Sequence, residues 1–162
     1  MREGEKRAEK AAGPARMVAT NRRARFEFHV LDELECGMAL TGTEVKSLRA
    51  KECSIGEAFG MVRNGEMWLI GMHIPEYEQG NVHNHAPARD RKLLLHKKEI
   101  LKWHAQVKEK GMTIVPLALY FKGSRAKVLI ALCKGKKLYD KRADKKEKDD
   151  KREIDRAMSR RR

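Results

Sequence analysis

The sequence predicts a mainly β domain: a small closed barrel of six antiparallel strands, with peripheral helices and a flexible basic C-terminal tail. Three observations support this fold class. The strand-forming runs are short and joined by turn residues, one long helical pattern occurs late in the chain, and the excess positive charge lies at the two ends. A chain of 162 residues suits one compact domain with extensions.

The strand-forming runs are rich in aromatic and β-branched residues. Asn64-Gly65 separates two of them and favours a tight hairpin turn, because both residues tolerate a positive φ. Residues 75–90 contain two prolines and two asparagines, which predicts a long loop. Among small barrels, the oligonucleotide-binding (OB) fold has about this size, and we choose it by analogy with other small barrels. The runs comprise residues 26–31, a short one at 38–40, then 59–63, 66–70, 92–95, 113–121 and 127–133.

Two helices are predicted inside the domain and one in the tail. Residues 44–50 place their apolar side chains three apart, as in a short amphipathic helix. Residues 97–110 carry a longer helical stripe, and Gly111 suits its C-terminal cap. Opposite charges recur four apart over residues 144–151, which stabilises a helix only weakly. We therefore expect the tail to be disordered when free and helical once a partner holds it.

The net charge of +14 is unevenly distributed. Residues 1–25 carry eight basic and three acidic side chains, and residues 26–133 carry fifteen and thirteen. Residues 134–162 carry fourteen and seven. The middle of the chain is thus nearly neutral. Such cationic ends most often bind a polyphosphate, although they could also serve solubility alone.

This pattern predicts three parts. Residues 1–20 have few sizeable apolar groups and are expected to form a flexible basic arm, with structure beginning at Asn21. Residues 21–134 are expected to form the barrel, which would bind the polyphosphate. Residues 135–162 form the basic tail.

The sequence argues against a membrane protein and predicts a cytoplasmic one. No apolar run approaches the roughly 20 residues needed to span a bilayer. The N-terminus carries charges where a secretory signal needs an apolar core. The three cysteines, Cys36, Cys53 and Cys133, are odd in number and far apart, which fits reduced, mostly buried thiols.

No catalytic motif is recognisable, so the chain is predicted not to be an enzyme. It lacks a G-x-S-x-G nucleophile turn, an H-E-x-x-H zinc motif and a glycine-rich phosphate loop. His83-Asn84-His85 is an H-x-H, but a surface or RNA-stacking role is commoner in such a loop. A metal-dependent nuclease using His83 and His85 stays an alternative, and no metal or cofactor is expected.

Basic residues gather at the predicted strand ends. In a barrel, strand ends that are distant in sequence can meet on one rim, so these residues predict a single basic face. Such a face suits folded RNA, which is read by shape and by its phosphates and hydroxyls. The residues are Arg22, Arg23, Arg25, Arg89, Arg91, Lys92, His96, Lys97, Lys98, Lys134, Lys136 and Lys137.

Five sequence blocks occur in one order along the chain: Asn21–Ala24, Gly42–Arg49, Arg91–Lys97, Gly135–Lys137 and Asp140–Arg142. Together they closely resemble the SsrA-binding protein family, also called small protein B. The likeness runs from about Asn21 to the C-terminus. Five blocks in order are far more specific than any one alone.

The resemblance implies a six-stranded OB barrel that binds the tRNA-like domain of bacterial transfer-messenger RNA (SsrA RNA). It also implies delivery of that RNA to stalled ribosomes for trans-translation, with the protein completing a tRNA mimic. The tail would act in the decoding centre and the mRNA channel, against 16S ribosomal RNA. Elongation factor Tu would be an indirect partner through the aminoacylated RNA, and the protein is expected to be a monomer.

Individual roles are also implied. Glu35 matches the acid of the family's Glu-Ala-Gly turn, where this chain has Cys36, and Leu94 and Lys127 match barrel positions whose alteration weakens RNA binding. Arg91 and Lys127 are expected phosphate ligands. Two questions stay open: whether Leu94 contacts RNA or belongs to the core, and whether Glu35 orients a basic group or accepts a hydrogen bond from RNA.

The predicted RNA-binding set comprises Asn21, Arg22, Arg23, Glu35, Lys46, Arg89, Arg91, Lys92, Leu94, His96, Lys127 and Lys134. The predicted ribosome-contacting set in the tail comprises Gly135, Lys136, Lys137, Tyr139, Asp140, Lys141 and Arg142.

Overall fold

The computed structural model describes residues 15–50 and 53–159, and seven strands and four α-helices lie within these two ranges. The strands are β1 (Arg16–Thr20), β2 (Phe28–Met38), β3 (Phe59–Arg63), β4 (Glu66–Ile70), β5 (Arg91–Leu94), β6 (Thr113–Lys122) and β7 (Arg125–Gly135). The helices are α1 (Ala24–Glu27), α2 (Gly42–Ala50), α3 (Lys97–Lys110) and α4 (Leu138–Ser159), with a 3-10 turn at Asn81–His83.

Six of the strands pair into a closed ring. Their order is β6-β3-β4-β5-β2-β7, and β7 pairs with β6 to complete it, with every pairing antiparallel. A Cβ atom at Gly60 would lie 2.5 Å from Ile114 Cγ2, so the close approach of β3 to β6 needs a glycine there. The ring confirms the predicted mainly β, antiparallel fold class.

Strand β1 lies beside β6, outside the ring. Arg16 pairs with Phe121 and Thr20 with Ala118, whereas β3 pairs with the same strand only at Ile114. β1 therefore covers the part of β6 that β3 leaves open. The prediction that structure begins at Asn21 is wrong, because backbone pairing with β6 orders residues with few large apolar groups. The rest of the predicted arm, residues 1–14, lies outside the described residues.

One long strand, β2, occupies the region in which the sequence predicted two short strands. The sequence predicted strands at residues 26–31 and 38–40, but β2 runs without a break from Phe28 to Met38, with an irregular register opposite β7 near Leu31. Phe26 lies in helix α1 instead, where Asn21 Oδ1 accepts a hydrogen bond from the backbone N–H of Ala24 at 3.1 Å. This hydrogen bond holds the turn that leads into α1, before the strand begins.

The local turn signals are confirmed. Asn64 and Gly65 have φ of 51° and 74°, and Arg63 pairs with Glu66 across a two-residue turn. Helix α3 has the predicted bounds and ends at Gly111, whose φ is 59°. In both places the structure follows from a positive φ, which glycine and asparagine adopt more readily than other residues.

Most of the hydrophobic core belongs to one cluster of buried residues contributed by the strands and by helices α2 and α3. Helix α3 packs Ile100 and Trp103 against it, while Leu101 on the predicted stripe is exposed. Cys36 and Cys133 are buried, as predicted, and burial raises the pKa of their thiols to about 12 and about 11. Both thiols therefore behave as small apolar groups at neutral pH.

None of the described residues of helix α4 is buried, and the ion pairs predicted four apart over residues 144–151 do not form in the structure. Asp144 pairs with Lys136, and Asp149 pairs with Arg152 three residues further along the helix. The helix confirms the helical pattern of the tail. Its disorder in free solution stays a prediction.

Candidate nucleic-acid interface

A groove of about 680 Å³ on the outside of the ring gathers five of the predicted RNA-binding residues. Strand pairing explains why they meet: Gly37 of β2 is opposite Leu94 on one side and Lys127 on the other. Their side chains therefore lie on one face of the sheet. We call this the β5 groove; its predicted members are Glu35, Lys92, Leu94, His96 and Lys127.

Leu94 is a surface residue of the β5 groove. Its side chain is 55% exposed, in contrast to Leu93, which is 1% exposed. A Cβ atom at Gly37 would lie 3.4 Å from the Leu94 Cβ, an ordinary van der Waals distance, so the two residues are direct neighbours across the paired strands. Leu94 is therefore placed to contact a ligand and does not belong to the core.

Glu35 organises the positive charge at one end of the groove. It accepts a hydrogen bond from the Tyr120 hydroxyl at 2.5 Å, and its carboxylate lies 3.4 Å from Lys122 Nζ and 3.8 Å from Lys127 Nζ. Burial acts to raise the pKa of Glu35, but the Tyr120 hydrogen bond and the two lysines lower it below its ordinary value. The geometry favours the first of the two roles considered for Glu35, that of orienting a basic group.

Sequence reasoning missed Tyr120 and Lys122. Both lie on β6, where Tyr120 is directly opposite Lys127 of β7. Burial and the neighbouring Glu35 carboxylate raise the pKa of Tyr120, so it stays a hydrogen-bond donor. Their positions two apart on a strand next to Lys127 would have indicated a shared face, had the strand pairing been known.

The other end of the groove mixes charges. Lys92 Nζ lies 2.5 Å from a Glu66 carboxylate oxygen, and both side chains are about two-fifths exposed. The backbone N–H of His96 donates to Glu99 Oε2 at 2.9 Å, which holds the start of helix α3 at the groove. The groove thus offers both donors and acceptors, a combination that suits ribose and base edges as well as phosphates.

The structure corrects the prediction that Arg91 binds phosphate. Arg91 has no exposed surface, and its guanidinium donates to Glu44 Oε1 at 2.9 Å and to the carbonyl oxygens of Met72 and Pro87 at 2.6 and 2.9 Å. Its side chain therefore joins β5 to α2 and to the long loop. The sequence suggested a surface cation because Arg91 stands between other basic residues.

Glu44 is the shared partner of two arginines. Arg89 donates to it from Nε at 2.8 Å and from a terminal nitrogen at 2.5 Å, and the Thr41 backbone N–H donates at 2.8 Å. Burial acts to raise the pKa of Glu44, but the hydrogen bonds from Arg89, Thr41 and Arg91 bring it down to about 2. The predicted contact residue Arg89, a third exposed, is thus half of an ion pair.

Lys46 and Lys134 lie outside the β5 groove. The Lys46 ammonium lies 5.7 Å from the centre of the Tyr77 ring, where a cation–π contact holds it beside the long loop. Lys134 is exposed near the end of β7, opposite His29 of β2. The structure therefore spreads the predicted basic face over several surfaces.

A second groove, of about 690 Å³, contains the Asn21–Arg23 corner. Asn21 is 6% exposed and accepts the hydrogen bond from the Ala24 backbone N–H, so its side chain is structural. Arg22 and Arg23 are exposed, and Arg23 lies 2.9 Å from Glu27 and 3.2 Å from Glu57. Only the two arginines are available to a partner.

The tail blocks lie where β7 passes into helix α4. Gly135 ends the strand, and the Lys137 backbone N–H donates to Asp140 Oδ2 at 3.2 Å as the helix begins. The Lys136 side chain is only 9% exposed. Tyr139 is 66% exposed. The remaining predicted residues, Lys141 and Arg142, are in the first turns of α4.

The histidine pair does not form a metal site. The ring nitrogens of His85 lie 3.1 Å from Thr43 Oγ1 and 3.2 Å from the Ile74 carbonyl oxygen, and the residue is buried. His83 is exposed on the 3-10 turn. Over residues 15–50 and 53–159, no group of three or more His, Cys, Asp or Glu side chains could hold a metal ion. The surface interpretation of His85 is therefore wrong.

The ring, its charged groove and the excess of basic residues after Cys133 identify a small binding protein whose exposed groups suit a nucleic acid. Within the part of the chain that the structure describes, no helix is long and apolar enough to cross a membrane. The sequence model of the SmpB protein family matches residues 18–160. The chain belongs to this family, which is a family of RNA-binding proteins and not of enzymes.

Individual relatives agree with this assignment. The chain is 54% identical to an SsrA-binding protein of Thermobifida fusca (strain YX), over 97% of this chain and 98% of the relative. It is 56% identical to one of Clavibacter michiganensis subsp. michiganensis, over 89% and 91%. A solved structure named "tmRNA-SmpB: a journey to the center of the bacterial ribosome" is 44% identical, with a TM-score of 0.63 over 78% of this chain and 87% of that one.

Proposed function

We propose that this protein binds transfer-messenger RNA and brings it to stalled ribosomes for trans-translation. The observation that carries the proposal is the β5 groove, where Glu35, Leu94 and Lys127 come together from three strands. Relatives of about 50% identity are named SsrA-binding proteins, and the structural neighbour is named for tmRNA, SmpB and the bacterial ribosome.

The β5 groove contacts the tRNA-like domain of that RNA. Lys127, held by Glu35, supplies positive charge for a phosphate, while the exposed Leu94 covers an apolar part of a sugar or base. The ring that presents these residues is an OB barrel by this proposal. Recognition of a folded RNA by shape requires such a rigid surface.

The tail acts after RNA binding. The tail, which begins at Gly135 and continues through helix α4, acts in the decoding centre and the mRNA channel, whose walls are 16S ribosomal RNA. The protein works as a monomer in the cytoplasm and meets elongation factor Tu only through the aminoacylated RNA. The excess of basic over acidic residues after Cys133 supports this placement.

The proposal is tested by isolating the protein from bacterial cells and sequencing the RNA that copurifies. Strong enrichment of transfer-messenger RNA over tRNA and ribosomal RNA is expected. Equal recovery of the three would indicate a general ribosomal or assembly protein and would overturn the proposal. A Lys127→Ala variant isolated in parallel should lose the enrichment, whereas Lys108→Ala, an exposed lysine of α3 outside the groove, should keep it.

A further inference from the structure

The Lys136 side chain is largely covered, at 9% exposure, where the ring joins helix α4. Its ammonium donates to the Arg25 carbonyl oxygen at 2.9 Å and to the Asp144 carboxylate. Its backbone N–H donates to the Glu27 carbonyl oxygen at 2.9 Å. Lys136 is thus fixed on both its main chain and its side chain, unlike a surface lysine that is free to reach a phosphate.

Further contacts lie on the same side of the helix. His29 Nε2 is 3.5 Å from Asp140 Oδ2, and the Lys148 ammonium is 5.8 Å from the centre of the Phe26 ring. Asp140, Asp144 and Lys148 are spaced four residues apart and therefore share one face of the helix. This face is turned toward α1 and the start of β2.

We propose that Lys136 is a positioning residue whose ion pair with Asp144 fixes the direction in which helix α4 leaves the ring. The inference rests on the proposed function, because direction matters only if the tail must reach a defined place while the ring holds RNA. It assigns Lys136 a role different from that of a phosphate ligand. It also gives a role to Asp144, an acidic residue in a basic tail.

The two possible roles of Lys136 predict opposite effects for loss of the Asp144 charge. If Lys136 binds ribosomal phosphate directly, removal of a competing carboxylate frees it and activity is kept or improved. If Lys136 positions the helix, the same change loosens the junction and activity falls. Asp144→Asn therefore distinguishes them, since it keeps the size of the side chain and removes its charge.

The test uses the full chain in two assays. Peptide tagging on stalled ribosomes is measured for the wild type, Asp144→Asn and Glu109→Gln, the last removing one exposed carboxylate charge from helix α3, outside both the β5 groove and the tail. Acylation of Lys136 in the free protein is measured by mass spectrometry, with the exposed Lys145 as internal reference. RNA affinity is measured for every variant, so that a folding defect is recognised.

In the wild type, Lys136 should be acylated more slowly than Lys145. Asp144→Asn should speed that reaction and lower tagging at least about tenfold, since a small misplacement of a positioned group is enough for such a loss. RNA affinity should not change, and Glu109→Gln should match the wild type. Adding Asp144→Asn to Lys136→Ala should cause no further loss, because the two residues act as one pair.

Equal acylation of Lys136 and Lys145 in the wild type would overturn the inference, and so would full tagging activity of Asp144→Asn. Multiplying losses in the double variant would also overturn it, because they would indicate independent roles. A wild-type protein that supports no tagging with transfer-messenger RNA would instead overturn the proposed function.

Discussion

The Tyr120 hydroxyl donates a hydrogen bond of 2.5 Å to the Glu35 carboxylate. The two residues lie on β6 and β2, which are not neighbours in the ring. Strand β7 lies between them and carries Lys127, whose ammonium is 3.8 Å from the same carboxylate. Three strands thus contribute to one polar cluster on the outer face. The cluster holds a lysine in place at the groove, although Glu35 itself would repel RNA.

Loss of the Tyr120 hydroxyl should weaken RNA binding through Glu35. In Tyr120→Phe, the pKa of Glu35 should rise, because the hydrogen bond that lowers it is gone. RNA affinity should fall by about threefold to tenfold, the effect of losing one typical hydrogen bond. The pKa is measured by NMR titration and the affinity by filter binding. Tyr77→Phe is the control, since its hydroxyl contacts Gln79 on the long loop; an equal effect of both changes would contradict the account.

Glu44 should govern the acid stability of the fold. Its pKa is about 2 in the folded protein against an ordinary value of 4.5. A carboxyl group with a lowered pKa stabilises the fold fully above the higher value, and this contribution is lost as pH falls toward the lower one. The free energy of unfolding should therefore decrease by on the order of 3 kcal/mol between pH 4.5 and 2.

Glu44→Gln should remove much of this pH dependence and also lower stability at pH 7 by about 3–5 kcal/mol, because Arg91 is left buried without its charged partner. Urea unfolding at several pH values measures both effects. Glu57→Gln, at an exposed carboxylate paired with Arg23, should change neither by more than about 0.5 kcal/mol. An unchanged pH profile in Glu44→Gln would show that another group controls acid unfolding.

Lys127 should contribute one phosphate contact. In Lys127→Ala, RNA affinity should decrease and the slope of its logarithm against the logarithm of salt concentration should become shallower by ~1. Lys108→Ala should leave the slope unchanged, although it removes the same charge from helix α3. Identical slopes for the two variants would mean that Lys127 acts only through overall charge.

Leu94 should matter for binding and not for folding. Leu94→Ser should leave the melting temperature nearly unchanged, because the side chain is 55% exposed, and should weaken RNA binding by on the order of 1 kcal/mol if RNA covers it. Leu101→Ser is a closely matched control, since Leu101 is 57% exposed on α3. A drop in melting temperature for Leu94→Ser alone would indicate a core role.

The features that the sequence predicted well are those determined by residues that are close together in the chain. The Asn64-Gly65 turn and the Gly111 helix end each follow from a positive φ that glycine or asparagine accepts. Helix α3 follows from its own apolar spacing and cap. None of these needs knowledge of the rest of the fold.

The features that it missed depend on distant partners. Arg91 lies among basic residues in sequence, but Glu44, 47 residues earlier, draws it into the interior. Strand β1 is ordered by β6, about a hundred residues later, and Tyr120 joins the groove through Glu35 of β2. The candidate site was therefore predicted in part: Glu35, Leu94 and Lys127 meet as implied, while Arg91 and Asn21 have structural roles.

The central claim is that the ring binds RNA and that the tail acts afterwards on the ribosome. The most direct test removes residues 140–162 and measures affinity for transfer-messenger RNA beside peptide tagging on stalled ribosomes. We predict that RNA affinity stays nearly unchanged and that tagging is abolished. A large loss of RNA affinity on truncation, or tagging that survives it, would contradict this division between the ring and the tail.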